Sequence, residues 1–138
     1  MEESESAPVL PRVDVVSLTS TAYPQAMVGD LDVVTFTTVD ELRSWLADHD
    51  RQHPGLWVRL PKVGSGEPSI TFHDLLEAGI AFGWSESTRR AHDATSYLQK
   101  FTPRRARGTT SVRNRAIADR LEAEGRMTPA GRAALGRS

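Results

Sequence analysis

The chain has no cysteine among its 138 residues. That excludes disulfides, thiolate zinc sites, iron–sulfur clusters and cysteine nucleophiles together. It also sets aside a disulfide-stapled secreted scaffold, so a reducing cytoplasm is the expected location. No apolar run approaches the ~20 residues that span a bilayer, and no membrane insertion is expected. The first residues, Met1-Glu2-Glu3-Ser4-Glu5-Ser6, lack the basic and apolar segments of a signal peptide. No Gly-x-Gly-x-x-Gly opens a helix and no Walker lysine is present, so nucleotide signatures are absent too. No serine sits in a Gly-x-Ser-x-Gly elbow. No cofactor is therefore expected. His49 and His53 are four apart, but Pro54 disfavours a helical His53 and no third ligand lies close in sequence. They read as surface histidines, and no metal is expected.

What is present fits one domain. Hydrophobic residues make up 38% and charged residues 25%, the balance of an ordinary globular protein. The net charge of −1 conceals an asymmetry. Residues 1–53 hold ten acids and three bases, whereas residues 54–138 hold eight acids and fourteen bases. From Thr88 to Arg115 there are eight bases and one acid, Asp93. A split of this kind suggests an anionic partner for the basic half, with a solvated basic surface as the plainer alternative.

Residues 1–8 read as a disordered acidic tail, and residues 9–138 as a single α+β domain. Val13 to Leu18 reads as a short strand, with a loop through Tyr23-Pro24. Leu31 to Phe36 is a β-branched run that predicts a strand. Thr38 and Glu41 have capping-box spacing, and Leu42, Trp45, Leu46 and His49 then form a helical stripe ending before Pro54. Gly55 to Leu60 predicts a strand, with Leu56, Val58 and Leu60 on one face and Trp57 and Arg59 on the other. Thr71 is the expected cap of a second helix, with Asp74 near its positive end. Phe82 to Arg90 and Ser96 to Phe101 read as an antiparallel hairpin. Ser111 is the expected cap of a third helix that Gly125 ends. Thr128 with Pro129 opens a fourth. The sheet is expected to hold three to four short, mostly antiparallel strands packed with about four helices.

The richest stretch runs from Phe82 to Asn114. It interleaves Phe82, Trp84, Tyr97 and Phe101 with Arg89, Arg90, Lys100, Arg104, Arg105 and Arg107. Arginine forks match phosphate or carboxylate geometry, and aromatic faces can stack a planar group. Tyr97 and Phe101 share one strand face, however, where core packing is the commoner fate. Pro103 fixes the backbone just ahead of Arg104 and Arg105.

Phe82-Gly83-Trp84, Asp93, Phe101-Thr102-Pro103-Arg104-Arg105, Ser111, Asn114 and Gly125-Arg126-Met127-Thr128-Pro129-Ala130-Gly131 resemble, in order and spacing, the YdeI/OmpD-associated proteins. These are also called the bacteriocin-protection family. The resemblance covers about residues 36–135. It implies a small bacterial cytoplasmic domain linked to protection from bacteriocins or cationic antimicrobial peptides. Two departures stand out. Gly83-Trp84-Ser85-Glu86-Ser87 replaces a common Gly-Trp-Ile-Asp-Gly, and Thr110 stands where a tryptophan is common.

The leading expectation is a ligand-binding domain. Trp84, Glu86, Arg104, Arg105, Ser111 and Asn114 line one pocket at the sheet's edge in this reading. The arginines hold an anionic small molecule or peptide, and Glu86 and Asn114 orient it. Structural roles stand beside these: Asn114 bonding the preceding loop, Glu86 paired with an arginine. A second reading makes the basic segment 88–115 a single-stranded nucleic-acid interface. A third makes Glu86 the general base of an enzyme. A fourth has the acidic half sequester cationic peptides.

Overall fold

The computed structural model describes residues 24–49, 52–104 and 111–137. Its first strands, β1 (Pro24–Val28) and β2 (Leu31–Val34), form an antiparallel hairpin. Gly29 turns the chain between them at φ 62°, a left-handed value that glycine adopts without steric penalty. The chain then crosses through α1 (Val39–Asp48) to β3 (Leu56–Pro61), which runs parallel to β2. After α2 (Phe72–Phe82) comes a second antiparallel hairpin, β4 (Trp84–Ala91) and β5 (Ser96–Pro103). β5 returns to pair antiparallel with β3. The five-stranded mixed sheet has the order β1-β2-β3-β5-β4. Helices α3 (Val112–Ala123) and α4 (Pro129–Ala134) complete the described residues.

The α+β class and the four helices agree with the sequence reading, and the sheet has one strand more than expected. The extra strand is β1, where a loop was expected. Its Met27 is 62% exposed, so the strand carries no clean alternation of buried and exposed positions. The single parallel pair makes the sheet mixed rather than antiparallel throughout. The expected strand at Val13 to Leu18 and the tail over residues 1–8 lie outside the described residues.

Side chains set the helix boundaries. Thr71 Oγ1 accepts from the Asp74 N–H at 3.1 Å while the Asp74 carboxylate accepts from the Thr71 N–H at 2.9 Å, a complete capping box. Thr38 Oγ1 accepts from the Glu41 N–H at 3.2 Å, but the Glu41 carboxylate reaches one residue further back, to the Thr37 N–H at 2.8 Å. Phe82, expected as extended, instead closes α2. Gly83 caps that helix at φ 85°, so β4 begins at Trp84.

The main core lies between the helices and one sheet face. It contains Val34, Leu56, Val58, Leu60 and Phe101 from the strands with Leu42, Leu46 and Leu75 from the helices. A second cluster joins Leu76, Ile80 and Ala81 of α2 to Ile117, Ala118 and Leu121 of α3 and to Met127. Val33, Trp57 and Leu98 cluster separately, as alternation along paired strands requires.

Candidate functional site

Trp84 follows the Gly83 cap directly and turns into the core. It is 1% exposed, with its ring centroid 5.4 Å from Trp45 and 5.2 Å from Phe101. Two residues on, Glu86 points to the same side of β4, opposite Phe101. Its carboxylate lies 3.9 Å from the Arg113 guanidinium. Ser111 is the cap of α3: its Oγ accepts from the Asn114 N–H at 3.1 Å. Asn114 is buried, and its Oδ1 accepts from Arg113 Nε at 3.4 Å. The Arg104 N–H donates to the Gly83 carbonyl at 2.8 Å, closing the β4–β5 hairpin beside Trp84. Arg105 and Thr110 lie outside the described residues.

The structure thus brings Glu86, Ser111 and Asn114 together, through Arg113, where α3 begins against β4. What it builds there is a joint between helix and strand. Neither Trp84 nor Glu86, Arg104, Ser111 or Asn114 lines the cavities described below.

The other resemblance motifs also have local work. Asp93 Oδ1 accepts from the Thr95 N–H at 3.0 Å and from Ser96 Oγ at 2.7 Å, which ties the β4–β5 turn. The Ser96 hydroxyl chiefly, with the Thr95 and Ser96 N–H groups and Arg59, holds the Asp93 carboxyl down at about 2 against the desolvation that opposes it. Thr128 donates both its N–H, at 3.1 Å, and its Oγ1–H, at 2.6 Å, to the Ala81 carbonyl. It thereby anchors α4 on the end of α2. His49 stacks on Trp45, with ring centroids 3.9 Å apart, and the His53 ring stands edge-on to both. No group of three or more metal-ligating side chains forms among the described residues.

A different set of side chains does converge on a cavity. The register of β4 against β5 shifts by one residue between Glu86 and Arg89, so Ser87 and Thr88 form a bulge. Buried Gln99 satisfies the irregular backbone there: its Nε2 donates to the Thr88 and Lys100 carbonyls, each at 3.3 Å. Beyond the bulge the faces exchange. Arg89 turns to the helix side, donating to Gln99 Oε1 at 3.2 Å, with its guanidinium over the rings of Phe72 and Tyr97. Arg90 turns to the opposite side.

On that opposite side lies a cavity of about 590 Å³. Trp57 forms its apolar wall, 8% exposed, and the Lys100 ammonium stands 5.9 Å from the indole centroid. Arg90 brings a second cation, Ser87 and Thr102 bring hydroxyls, and Asp30 brings one carboxylate from the β1–β2 turn. Neither Arg90 nor Lys100 has a carboxylate within ion-pair distance among the described residues. Two uncompensated cations, two hydroxyls and an indole suit an anion carried on a flat apolar body.

A family described as Domain of unknown function (DUF8412) matches residues 34–134. Comparison with curated proteins and with solved structures finds no match. Among the described residues no helix is long and apolar enough to cross a membrane.

Proposed function

We propose that this chain, which belongs to the family described as Domain of unknown function (DUF8412), binds a small anionic ligand in the cavity walled by Trp57, Arg90 and Lys100. The carrying observation is that two cations without carboxylate partners among the described residues face one cavity with an indole in its wall. The reading keeps the anionic ligand expected from the basic half but assigns it to other residues. In the cell the binding serves the protection from bacteriocins or cationic antimicrobial peptides that the resemblance to the YdeI/OmpD-associated proteins implies. A cytoplasmic location is part of the same proposal.

The single-stranded nucleic-acid reading draws less support. Trp84 and Phe101 are buried, and Arg89 is engaged with Phe72, Tyr97 and Gln99. The enzyme reading draws less again, since the Glu86 carboxylate lies 3.9 Å from the Arg113 guanidinium as an ion pair.

Titration with phenyl phosphate, followed by NMR, tests the proposal. Saturable shifts are expected at the Trp57 indole and at Thr102. A charge-assisted hydrogen bond is worth about 1.5–3 kcal/mol, so Lys100→Ala and Arg90→Ala are each expected to weaken binding at least tenfold. Shifts confined to Glu86 and Asn114, or none that saturate, would refute the assignment. Affinity that rises steadily with oligonucleotide length would move the reading to nucleic acid.

A further inference from the structure

A second cavity, of about 550 Å³, shares no residue with the first. It lies between the C-terminal ends of α1 and α2 and the start of α4. Leu46, Ala47, Phe82, Pro129 and Ala130 give it apolar walls. His49 and Gln52 stand at one end, where they also line an adjoining cavity of about 300 Å³ with Asp48 and His53.

His49 is held in one orientation and one tautomer. Its ring lies 11° from parallel to the Trp45 indole, which covers one face. Its Nδ1 is 2.7 Å from the Trp45 carbonyl oxygen. A carbonyl only accepts, so Nδ1 carries the proton, and in the neutral imidazole Nε2 is a bare acceptor. The Nδ1 bond has a structural purpose, because the Trp45 carbonyl belongs to the last turn of α1 and lacks a helical donor. Nε2 has no such purpose and no partner among the described residues. His53 is set the other way: the Gly55 N–H donates to its Nδ1 at 3.0 Å, so the neutral ring keeps its proton on Nε2. Among the described residues no lysine or arginine lines either cavity, whereas the Asp48 carboxylate lines the smaller one.

We propose that this cleft is a binding site for a small aromatic compound, neutral or cationic, that carries an N–H or O–H donor. The ring lies against Leu46, Phe82 and Ala130, and its donor meets His49 Nε2. The volume falls in the range of small-molecule sites, and an apolar enclosure with a few fixed polar groups is their usual composition. The acceptors at one end, with no lysine or arginine among the described lining residues, select against the anions that the Trp57 cavity suits. The two sites therefore call for opposite ligand chemistry.

The test uses the full chain, with indole and 1-methylindole as probes and NMR as the readout. Indole is expected to shift the amides of Leu46, Phe82 and Ala130 saturably. The methylated probe has no donor and is expected to bind about threefold to tenfold more weakly, the worth of one neutral hydrogen bond. His49→Phe keeps a ring on Trp45 but has no Nε2, and it is expected to bring indole down to the 1-methylindole affinity. Ala47→Leu narrows the cleft and is expected to weaken both probes. The proposal is overturned if neither probe gives saturable shifts at these amides, or if both bind the unaltered protein equally. Because that comparison needs no substitution, it decides the matter even if His49→Phe fails to fold.

Discussion

Replacing Gly131 by alanine sets two physical effects against each other. Gly131 lies inside α4, where alanine is favoured over glycine by about 1 kcal/mol on helix propensity alone. Packing points the other way. A Cβ at this position would stand 2.1 Å from the Ala81 carbonyl oxygen and 2.7 Å from the Ile80 carbonyl oxygen. Both are backbone atoms at the end of α2, so neither yields by a rotamer change, and α4 must retreat by about an ångström. Overpacking of this kind typically costs about 1–3 kcal/mol. Retreat also stretches the two hydrogen bonds from Thr128 to the Ala81 carbonyl, each worth about 1 kcal/mol. The net expectation is a loss of about 3 kcal/mol. With a urea slope near 2 kcal/mol/M, the midpoint should fall by about 1.5 M. Amide exchange at Arg132, whose N–H donates to the Thr128 carbonyl at 3.0 Å, reports whether α4 loosens by itself. Gly136→Ala is the control: that glycine has φ +74° with nothing within 4 Å of an added Cβ, so it meets conformational strain without a clash. A Gly131→Ala protein with an unchanged or raised midpoint and unaltered Arg132 exchange would refute the reasoning.

Two further predictions concern charge. Asp93 titrates near 2 in the fold against an ordinary value of 3.8, so its contribution to stability is full above the ordinary value and lost as pH falls through about 2. Thermal unfolding should show Asp93→Asn less stable than the unaltered protein at neutral pH, with the gap closing toward pH 2; a constant gap would count against the turn bonds as its cause. Glu77 packs beneath the Arg120 and Arg126 guanidiniums and the His73 imidazole. Desolvation opposes its ionisation, but the bonds and charges of Arg120 and His73 outweigh it, so its carboxyl titrates below the ordinary range. Glu77→Gln should cost about 1 kcal/mol at neutral pH, limited by the solvent around the two arginines, and the cost should disappear as acid protonates Glu77 below its ordinary value. Denaturation unchanged at neutral pH would show the cluster to be energetically idle.

What the sequence makes legible is local. Thr38, Thr71, Ser111 and Thr128 each announce a helix, because a cap and its N–H partner are three residues apart. Trp84 shows the complementary limit: its company in a motif with glycine and an acid suggested a ligand, while the side chains it packs against, Trp45 and Phe101, are distant in sequence. The cavity at Trp57 was hidden by register. Trp57 meets Lys100 only because β3 pairs with β5 in one alignment. Strict alternation from Trp84 would place Arg90 on the core side with Glu86 and send Arg89 outward. The extra residue at Ser87 and Thr88 reverses that parity, and no composition or period reports it. Gln99 is what makes the reversal stable, since its amide binds the Thr88 and Lys100 carbonyls and accepts from Arg89. A buried polar residue in a strand is thus the part that holds Arg90 turned toward the indole. Deleting Thr88 would remove the extra residue and leave strict alternation, with Arg89 still opposite Gln99 on the core side and Arg90 still on the cavity side. Binding there should then be kept, whereas Arg90→Ala should weaken it; loss of binding on the deletion would show that the parity argument is wrong.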